Sequence, residues 1–214
     1  MRGPPAIVSV AIALAGLGWT SGAAAYDVRD QQGIVTAYAD GATEYASLPQ
    51  ASGGSISVTV GVPEPGRDYA TGSLLTEFQS DQLRVVASGN VGEWGNEGAV
   101  KVLLVLQFSV SQDTPYTLID TVRTAKGNGW LGDRAQIVLS NEHGVILRRH
   151  AGGGFNPCES DHPNSDTLCE NENPTLPPGE YTLEVRVSAY APGSCGSCKG
   201  YATTADVDLT ILFF

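Results

Sequence analysis

Residues 180–190 read EYTLEVRVSAY, and this stretch decides the fold. Its odd-numbered positions from 181 to 189 are apolar (Y, L, V, V, A), and the even-numbered positions from 180 to 188 are polar. Successive side chains of a β-strand point to opposite faces, so the alternation predicts a strand with one buried face and one face in solvent. Half-buried strands of this kind are typical of antiparallel sheets.

The same period of two recurs along the chain. In residues 206–213, Val207, Leu209, Ile211 and Phe213 face one way and the polar residues between them face the other. Residues 98–110 are more continuously apolar and predict a central strand. Shorter strand candidates are 33–39, 55–62, 73–79, 83–88, 116–124, 135–140 and 145–149. The alanines of residues 26–54 also allow a short helix.

Turn residues separate these segments. Residues 63–66 (PEPG), 126–129 (KGNG) and 141–144 (NEHG) carry the Pro, Asn and Gly that tight turns need. No window combines a long helical period with a capping residue. The sequence therefore predicts an all-β fold, an antiparallel two-sheet β-sandwich of jelly-roll-like form with about ten strands.

Two of these segments resemble a known class of sandwich. Residues 176–183 (LPPGEYTL) place a proline-glycine turn before a strand that opens with tyrosine, and residues 113–118 (DTPYTL) fit an earlier strand. The pattern is similar to exported bacterial β-sandwich proteins of the pre-peptidase C-terminal-like, jelly-roll type, and it covers residues 101–214. The resemblance implies a final strand that completes a sheet. The acidic insertion at 155–174 and a Cys-x-x-Cys loop depart from it, so it transfers no functional residue.

The first 25 residues read as a secretory signal peptide. Arg2 gives a positive start, residues 6–18 (AIVSVAIALAGLG) are uncharged and apolar, and Ala23 to Ala25 provide small residues for cleavage. The apolar run is shorter than the roughly 20 residues that span a bilayer, and no second long run follows. We therefore expect a secreted or periplasmic protein with no membrane span, and a single sandwich domain over residues 26–214.

The charge balance limits the partners. The chain has 23 acidic and 12 basic residues, a net charge of −11. Nucleic acids and anionic lipids bind basic patches, so an acidic surface argues against both partners.

Four cysteines are present, Cys158, Cys169, Cys195 and Cys198. An even number in an exported protein predicts disulfides, and of the three possible pairings sequence proximity favours Cys158–Cys169 with Cys195–Cys198. A dithiol oxidoreductase would place the first cysteine at a helix start, but residues after Cys198 lead into a strand. A four-cysteine zinc site would need closer spacing than that of the first pair. We therefore predict structural disulfides and a stapled acidic loop at 155–174.

The acidic loop also contains candidate metal ligands. Asp161, Asp166 and Glu170 could bind Ca²⁺, which prefers oxygen ligands. The EF-hand pattern is absent, and the main expectation is a solvated loop. We expect no other cofactor.

The remaining candidates concern ligand binding. Trp94 and Trp130 lie in glycine-rich stretches and could stack on sugar rings or fold back over the core edge. The three histidines lack metal-ligand spacing, and no Gly-x-Ser-x-Gly nucleophile motif occurs. The sequence favours a non-catalytic binding or accessory structural module for a glycan or cell-surface component. The alternative is an extracellular hydrolase of a polymer, with carboxylates that the fold brings together.

Overall fold

The computed structural model describes residues 11–13, 25–49, 53–61, 68–93, 97–125, 133–152, 174–191 and 201–214. Within these ranges the chain forms thirteen strands and no helix. In chain order the strands are β1 (Ala11–Ala13), β2 (Asp27–Ala39), β3 (Ala42–Ser47), β4 (Gly54–Gly61), β5 (Tyr69–Phe78), β6 (Gln82–Glu93), β7 (Gly98–Val110), β8 (Thr114–Ala125), β9 (Arg134–Asn141), β10 (Gly144–Ala151), β11 (Thr175–Leu176), β12 (Gly179–Ala191) and β13 (Tyr201–Phe213).

The strands form two antiparallel sheets. Sheet A has the order β1-β4-β5-β6-β13-β8-β11, and sheet B has the order β10-β9-β12-β7-β2-β3. Apart from the three-residue β1, which pairs with the edge of β4 and lies in the predicted signal peptide, each sheet has six strands in the described part of the chain. Each predicted strand segment overlaps one of these strands, although the observed total is slightly above ten.

The connection of the last eight strands has the jelly-roll pattern. Sheet A contains β6, β13, β8 and β11 in that order, and sheet B contains β7, β12, β9 and β10 in that order, counted from β7 to the β10 edge. From β6 to β13 the chain therefore crosses between the sheets at every step except the β9–β10 hairpin. Strands β4 and β5 extend sheet A beyond β6, and β2 and β3 extend sheet B beyond β7. The predicted antiparallel two-sheet sandwich of jelly-roll form is therefore confirmed.

Strands β12 and β7 lie in the middle of sheet B, and the central position of β7 agrees with the prediction for residues 98–110. Strand β12 has the one buried face that its alternation predicts. It pairs with β7 along its whole length and with β9 on the other side. Leu183 and Val185 have no exposed surface, whereas the Glu184 side chain retains 27% of its own. On β13, the predicted inward residues, from Val207 to Phe213 at every second position, are also buried. These inward faces form the core between the sheets.

Residues 27–47 form a β-hairpin and no helix, contrary to the helix that the alanines allowed. Asp40 and Gly41 connect β2 to β3, with φ values of 49° and 76°. Two successive positive φ values suit the primed turns of two-residue hairpins, which favour Asp-Gly. Ala37 and Ala39 are fully buried in β2, so their small size serves close sheet packing here. The predicted turn at 141–144 connects β9 and β10, while 63–66 and 126–129 lie outside the described residues.

Tyr26, the first residue after the predicted cleavage site, is buried in the core. Its ring packs on Phe213, with centroids 4.6 Å apart, and against Phe108 at 6.1 Å. Its hydroxyl donates a 2.6 Å hydrogen bond to the carbonyl oxygen of Gln82, which satisfies the polar end of a buried side chain. No helix with the length and apolarity needed to cross a bilayer occurs among the described residues.

Candidate functional site

The residues that the sequence singled out for chemistry all lie outside the described ranges. They are Trp94, Trp130, Cys158, Cys169, Cys195, Cys198, Asp161, Asp166 and Glu170. Their roles as stacking residues, disulfides and calcium ligands therefore stay predictions. The strands that flank them are described: Glu93 at the end of β6 pairs with Tyr201 at the start of β13, and Gly98 pairs with Ala191. These strand ends therefore lie at one end of the sandwich.

Two tyrosines lie near that end on the outer face of sheet B. Tyr38 of β2 and Tyr190 of β12 are both in register with Ala99 of β7, the strand between them. Adjacent strands are about 4.8 Å apart, so the two tyrosine positions are about 9.6 Å apart across a single alanine. Both tyrosines are half-buried, and the alanine between them has a short side chain.

A third tyrosine extends this surface onto β3. Tyr45 is 74% exposed and pairs with Thr36, two residues from Tyr38 along β2. Diagonal neighbours on one sheet face lie within reach of an aromatic side chain. We call Tyr38, Tyr45 and Tyr190, together with Thr36 and Ala99 between them, the tyrosine face.

The row next to Tyr38 and Tyr190 is polar and carries positive charge. Four adjacent strands each contribute one residue to this row: Thr36 of β2, Lys101 of β7, Ser188 of β12 and Arg134 of β9. The Lys101 and Arg134 residues are exposed. The tyrosine face is therefore bordered by hydroxyl and cationic groups.

A third row adds exposed apolar side chains. Ile34 and Leu103 pair across β2 and β7 and remain 45% and 36% exposed. Arg186 of β12 continues this row, and its Nε lies 2.6 Å from Glu184 Oε1. The three rows together make a nearly flat surface of aromatic, aliphatic, hydroxyl and cationic groups.

The position of Tyr190 is fixed by a buried carboxylate. The Tyr190 backbone N–H donates a 3.0 Å hydrogen bond to Asp133 Oδ1, and Asp133 is only 5% exposed. This bond ties the end of β12 to the residue that precedes β9. Charge-assisted hydrogen bonds are among the stronger ones in proteins, so the tyrosine stands on a well-defined part of the backbone.

The outer face of sheet A presents a different group of charges. Arg84 Nη2 lies 3.4 Å from Asp208 Oδ2, and Arg84 Nη1 lies 3.5 Å from Glu77 Oε2. Asp208, through its hydrogen bond and its charge, raises the pKa of Arg84 above the usual value. Burial raises the pKa of Asp206, although the charge of Arg123 opposes that shift. Arg84 and Asp208 also line a shallow depression of about 350 Å³.

An ion pair that the sequence did not reveal lies inside the sandwich. Asp120 of β8 and Arg149 of β10 point inward, and Asp120 Oδ2 lies 3.5 Å from Arg149 Nε. Their side chains are 6% and 8% exposed. The available signal was an acidic residue at an inward position of β8, in the series Tyr116, Leu118, Asp120. The pair joins the two sheets and is structural in character.

Within the described ranges, no three His, Cys, Asp or Glu side chains are placed to hold a metal ion. Comparison with protein-family models, with curated proteins and with solved structures finds no match.

Proposed function

We propose that this chain is an exported, non-catalytic β-sandwich that binds a glycan on the tyrosine face. The observation that carries the proposal is the register of Tyr38 and Tyr190 on either side of Ala99. Two aromatic positions across one small residue make an open, nearly flat platform. Fold alone does not assign a function, so the argument rests on this surface.

The chemistry of the platform matches that of a sugar. A pyranose ring has a face of C–H groups and a rim of hydroxyls, so it needs an apolar plane with polar groups beside it. Tyrosine offers an aromatic plane with a hydroxyl at its tip, which suits surfaces that are partly wet. The hydroxyl of Thr36 and the ammonium of Lys101 lie in the adjacent row, where they can meet the hydroxyl rim.

The scaffold also favours binding because it is rigid. The tyrosines stand on three paired strands, β2, β3 and β12, of which β2 and β12 pair with the long strand β7. Side chains with few rotatable bonds on a fixed backbone lose little conformational entropy when a ligand binds. A broad, shallow surface of this kind suits a chain of sugars better than a small enclosed molecule.

Export is part of the proposal. The apolar run and small residues before Tyr26 have the pattern of a cleavable signal, and the Tyr26 side chain is buried in the core. Loss of residues 1–25 would leave the whole tyrosine face intact. The mature glycan binder, whose net charge changes from −11 to about −12 with the loss of Arg2, would then work outside the cytoplasm, secreted or periplasmic.

The test compares tyrosines on the two faces of the protein. Tyr38→Ala and Tyr190→Ala should each weaken binding to the best polysaccharide of an immobilised panel by about tenfold, or about 1.4 kcal/mol. Tyr69→Ala is the matched control, because Tyr69 lies on the outer face of sheet A. The proposal fails if the protein binds no polysaccharide, or if Tyr69→Ala costs as much as Tyr38→Ala.

A hydrolase is the second candidate, and one observation favours it. Asp206 and Asp208 share the outer face of β13, with positions about 6.8 Å apart along the strand. Burial raises the pKa of Asp206, whereas Asp208 is held beside Arg84, so the two carboxyls have different environments. Glycosidases use such pairs as acid and base. Release of reducing sugar by the protein, abolished by Asp206→Asn, would establish this activity in place of simple binding.

A further inference from the structure

We propose that the ligand of the tyrosine face is an anionic polysaccharide that carries carboxylate or sulfate groups. This inference rests on the proposed function and names its substrate class. It follows from the positive charges beside the tyrosines and from the spacing of those charges.

The charges on this part of sheet B are opposite in sign to the protein as a whole. The three rows comprise Thr43, Tyr38, Ala99 and Tyr190; Tyr45, Thr36, Lys101, Ser188 and Arg134; and Ser47, Ile34, Leu103, Arg186, Gln136 and His150. None of these positions holds an Asp or Glu, and three hold Lys or Arg. The chain has 23 acidic and only 12 basic residues, so this surface is a local exception to its composition.

Lys101 and Arg134 provide most of this positive charge. Arg186 is engaged with Glu184 at 2.6 Å, which offsets much of its charge. Lys101 and Arg134 are exposed and face one another across Ser188, with no carboxylate in their row. An anion that approaches this row therefore meets two cations, and none of the described positions in the row holds an Asp or Glu.

The spacing of the cations repeats the spacing of the tyrosines. Tyr38 and Tyr190 are two strands apart, and Lys101 and Arg134 are also two strands apart, about 9.6 Å in each case. The two rows are separated by two residues along the strands, or about 6.8 Å. A polysaccharide that crosses the strands can therefore place its rings on the tyrosine row and its anionic groups on the cationic row.

The acidic residues at one edge of this surface determine the direction in which a bound polysaccharide would run. Asp40 and Glu97 lie beyond the row of Tyr38 and Tyr190, at the end of the sandwich. Their carboxylates disfavour an anionic polymer that continues over that end. The favourable path crosses β2, β7, β12 and β9, where the two rows run side by side.

The negative charge of the rest of the protein restricts the binding of polyanions to this surface. A net charge of −11 repels polyanions at long range, so a polyanion gains attraction only where cations are concentrated. Attraction between exposed charges is screened by salt, with a screening length that falls from about 10 Å at 0.1 M to about 3 Å at 1 M. Binding that depends on Lys101 and Arg134 must therefore weaken as salt is added.

The experiment uses the full chain with polygalacturonate, dextran sulfate and unsubstituted dextran as probes. We expect at least one anionic polymer to bind about tenfold or more tightly than dextran, and the two anionic probes separate carboxylate from sulfate recognition. Lys101→Gln combined with Arg134→Gln should remove about tenfold of that affinity, and most of its salt dependence. Arg123→Gln, which removes one positive charge from an exposed position of sheet A, should change binding by less than about twofold and by less than Lys101→Gln or Arg134→Gln alone.

The outcomes separate this inference from the proposed function. If Tyr38→Ala weakens dextran and both anionic polymers equally, and the Lys101 and Arg134 variant binds normally, glycan binding stands and the anionic class is wrong. If neither the tyrosine nor the cation variants change binding, both are wrong. A loss in Arg123→Gln equal to that of the double variant would show a general charge effect and would overturn the inference.

Discussion

The buried pair of Asp120 and Arg149 makes the sharpest prediction about stability. Asp120→Ala would leave the Arg149 guanidinium, 8% exposed, without the carboxylate that lies 3.5 Å from its Nε. Removal of one partner of a buried ion pair costs about 3–5 kcal/mol, because the remaining charge stays out of water. For a chain of about 150–250 residues, 1 kcal/mol corresponds to about 2–4 °C in Tm, so we expect a fall of roughly 6–20 °C.

A double substitution distinguishes an unpaired charge from lost packing. Asp120→Leu with Arg149→Met removes both charges and retains apolar volume between the sheets, so its stability should be equal to that of the natural chain or higher by about 1–4 kcal/mol. The two single variants should each be destabilised, and the double variant should be more stable than either one. Such non-additivity is expected for residues in direct contact.

The assay is chemical denaturation of the oxidised protein, followed by circular dichroism. Glu184→Ala is the matched control, because it breaks an exposed pair with Arg186 and should cost no more than about 1 kcal/mol. The reasoning is refuted if Asp120→Ala costs no more than Glu184→Ala, or if the effects of the two single substitutions simply add in the double variant. Either result would mean that the pair makes no special contribution to sheet packing.

Three further predictions concern the strand register, pH and export. Val185→Asp should prevent folding or destabilise the chain by several kcal/mol, while Glu184→Lys should stay within about 1 kcal/mol; thermal melts that reverse this order would contradict the register of β12. The raised pKa of Asp206 means that the carboxyl group binds its proton more tightly in the folded state than in the unfolded state. The protonated carboxyl therefore contributes its full stabilisation below the pKa of the unfolded state, and this stabilisation is lost as pH rises through the pKa of the folded state. Asp206→Asn should therefore raise Tm at pH 7, with a difference that vanishes below about pH 3.9; a difference that grows on acidification would reverse the sign. N-terminal sequencing of the exported protein should start at Tyr26, and a mature chain that keeps Met1 would show that the apolar run is retained.

The sequence predicted the sandwich well where strands are long and alternate. In residues 180–190 most of the apolar residues are large enough to mark the inward face, and the structure confirms that face at Val185 and Leu183. Residues 27–47 were harder, because Ala37 and Ala39 favour helix by propensity and are too small to mark a face. The Asp40-Gly41 dipeptide was the missed signal, since Asp-Gly is a common two-residue hairpin turn.

The candidate site was not predictable in the same way. Tyr38 and Tyr190 are far apart in the sequence, and their proximity comes from the pairing of β2 and β12 with the two sides of β7. Strand alternation places each tyrosine on an outer face but does not specify which strands are neighbours. The order of strands in a sheet depends on non-local contacts, which a single sequence does not show directly. The ion pair of Asp120 and Arg149 has the same origin, since it joins strands of different sheets.

A contrast between the two outer faces supports sheet B as the proposed binding surface. On sheet A the ring of Tyr69 lies over Gly92, where a Cβ would overlap the ring, and its hydroxyl lies 3.5 Å from Asn90 Oδ1. Ser73 and Ser88 on the same face are bonded to each other at 2.7 Å. These polar groups contact one another, so a ligand would have to displace existing contacts. On sheet B, Tyr45 is 74% exposed. A ligand that contacts the Tyr45 ring would therefore remove apolar area from water. The same residue type therefore serves packing on one sheet and is available for recognition on the other.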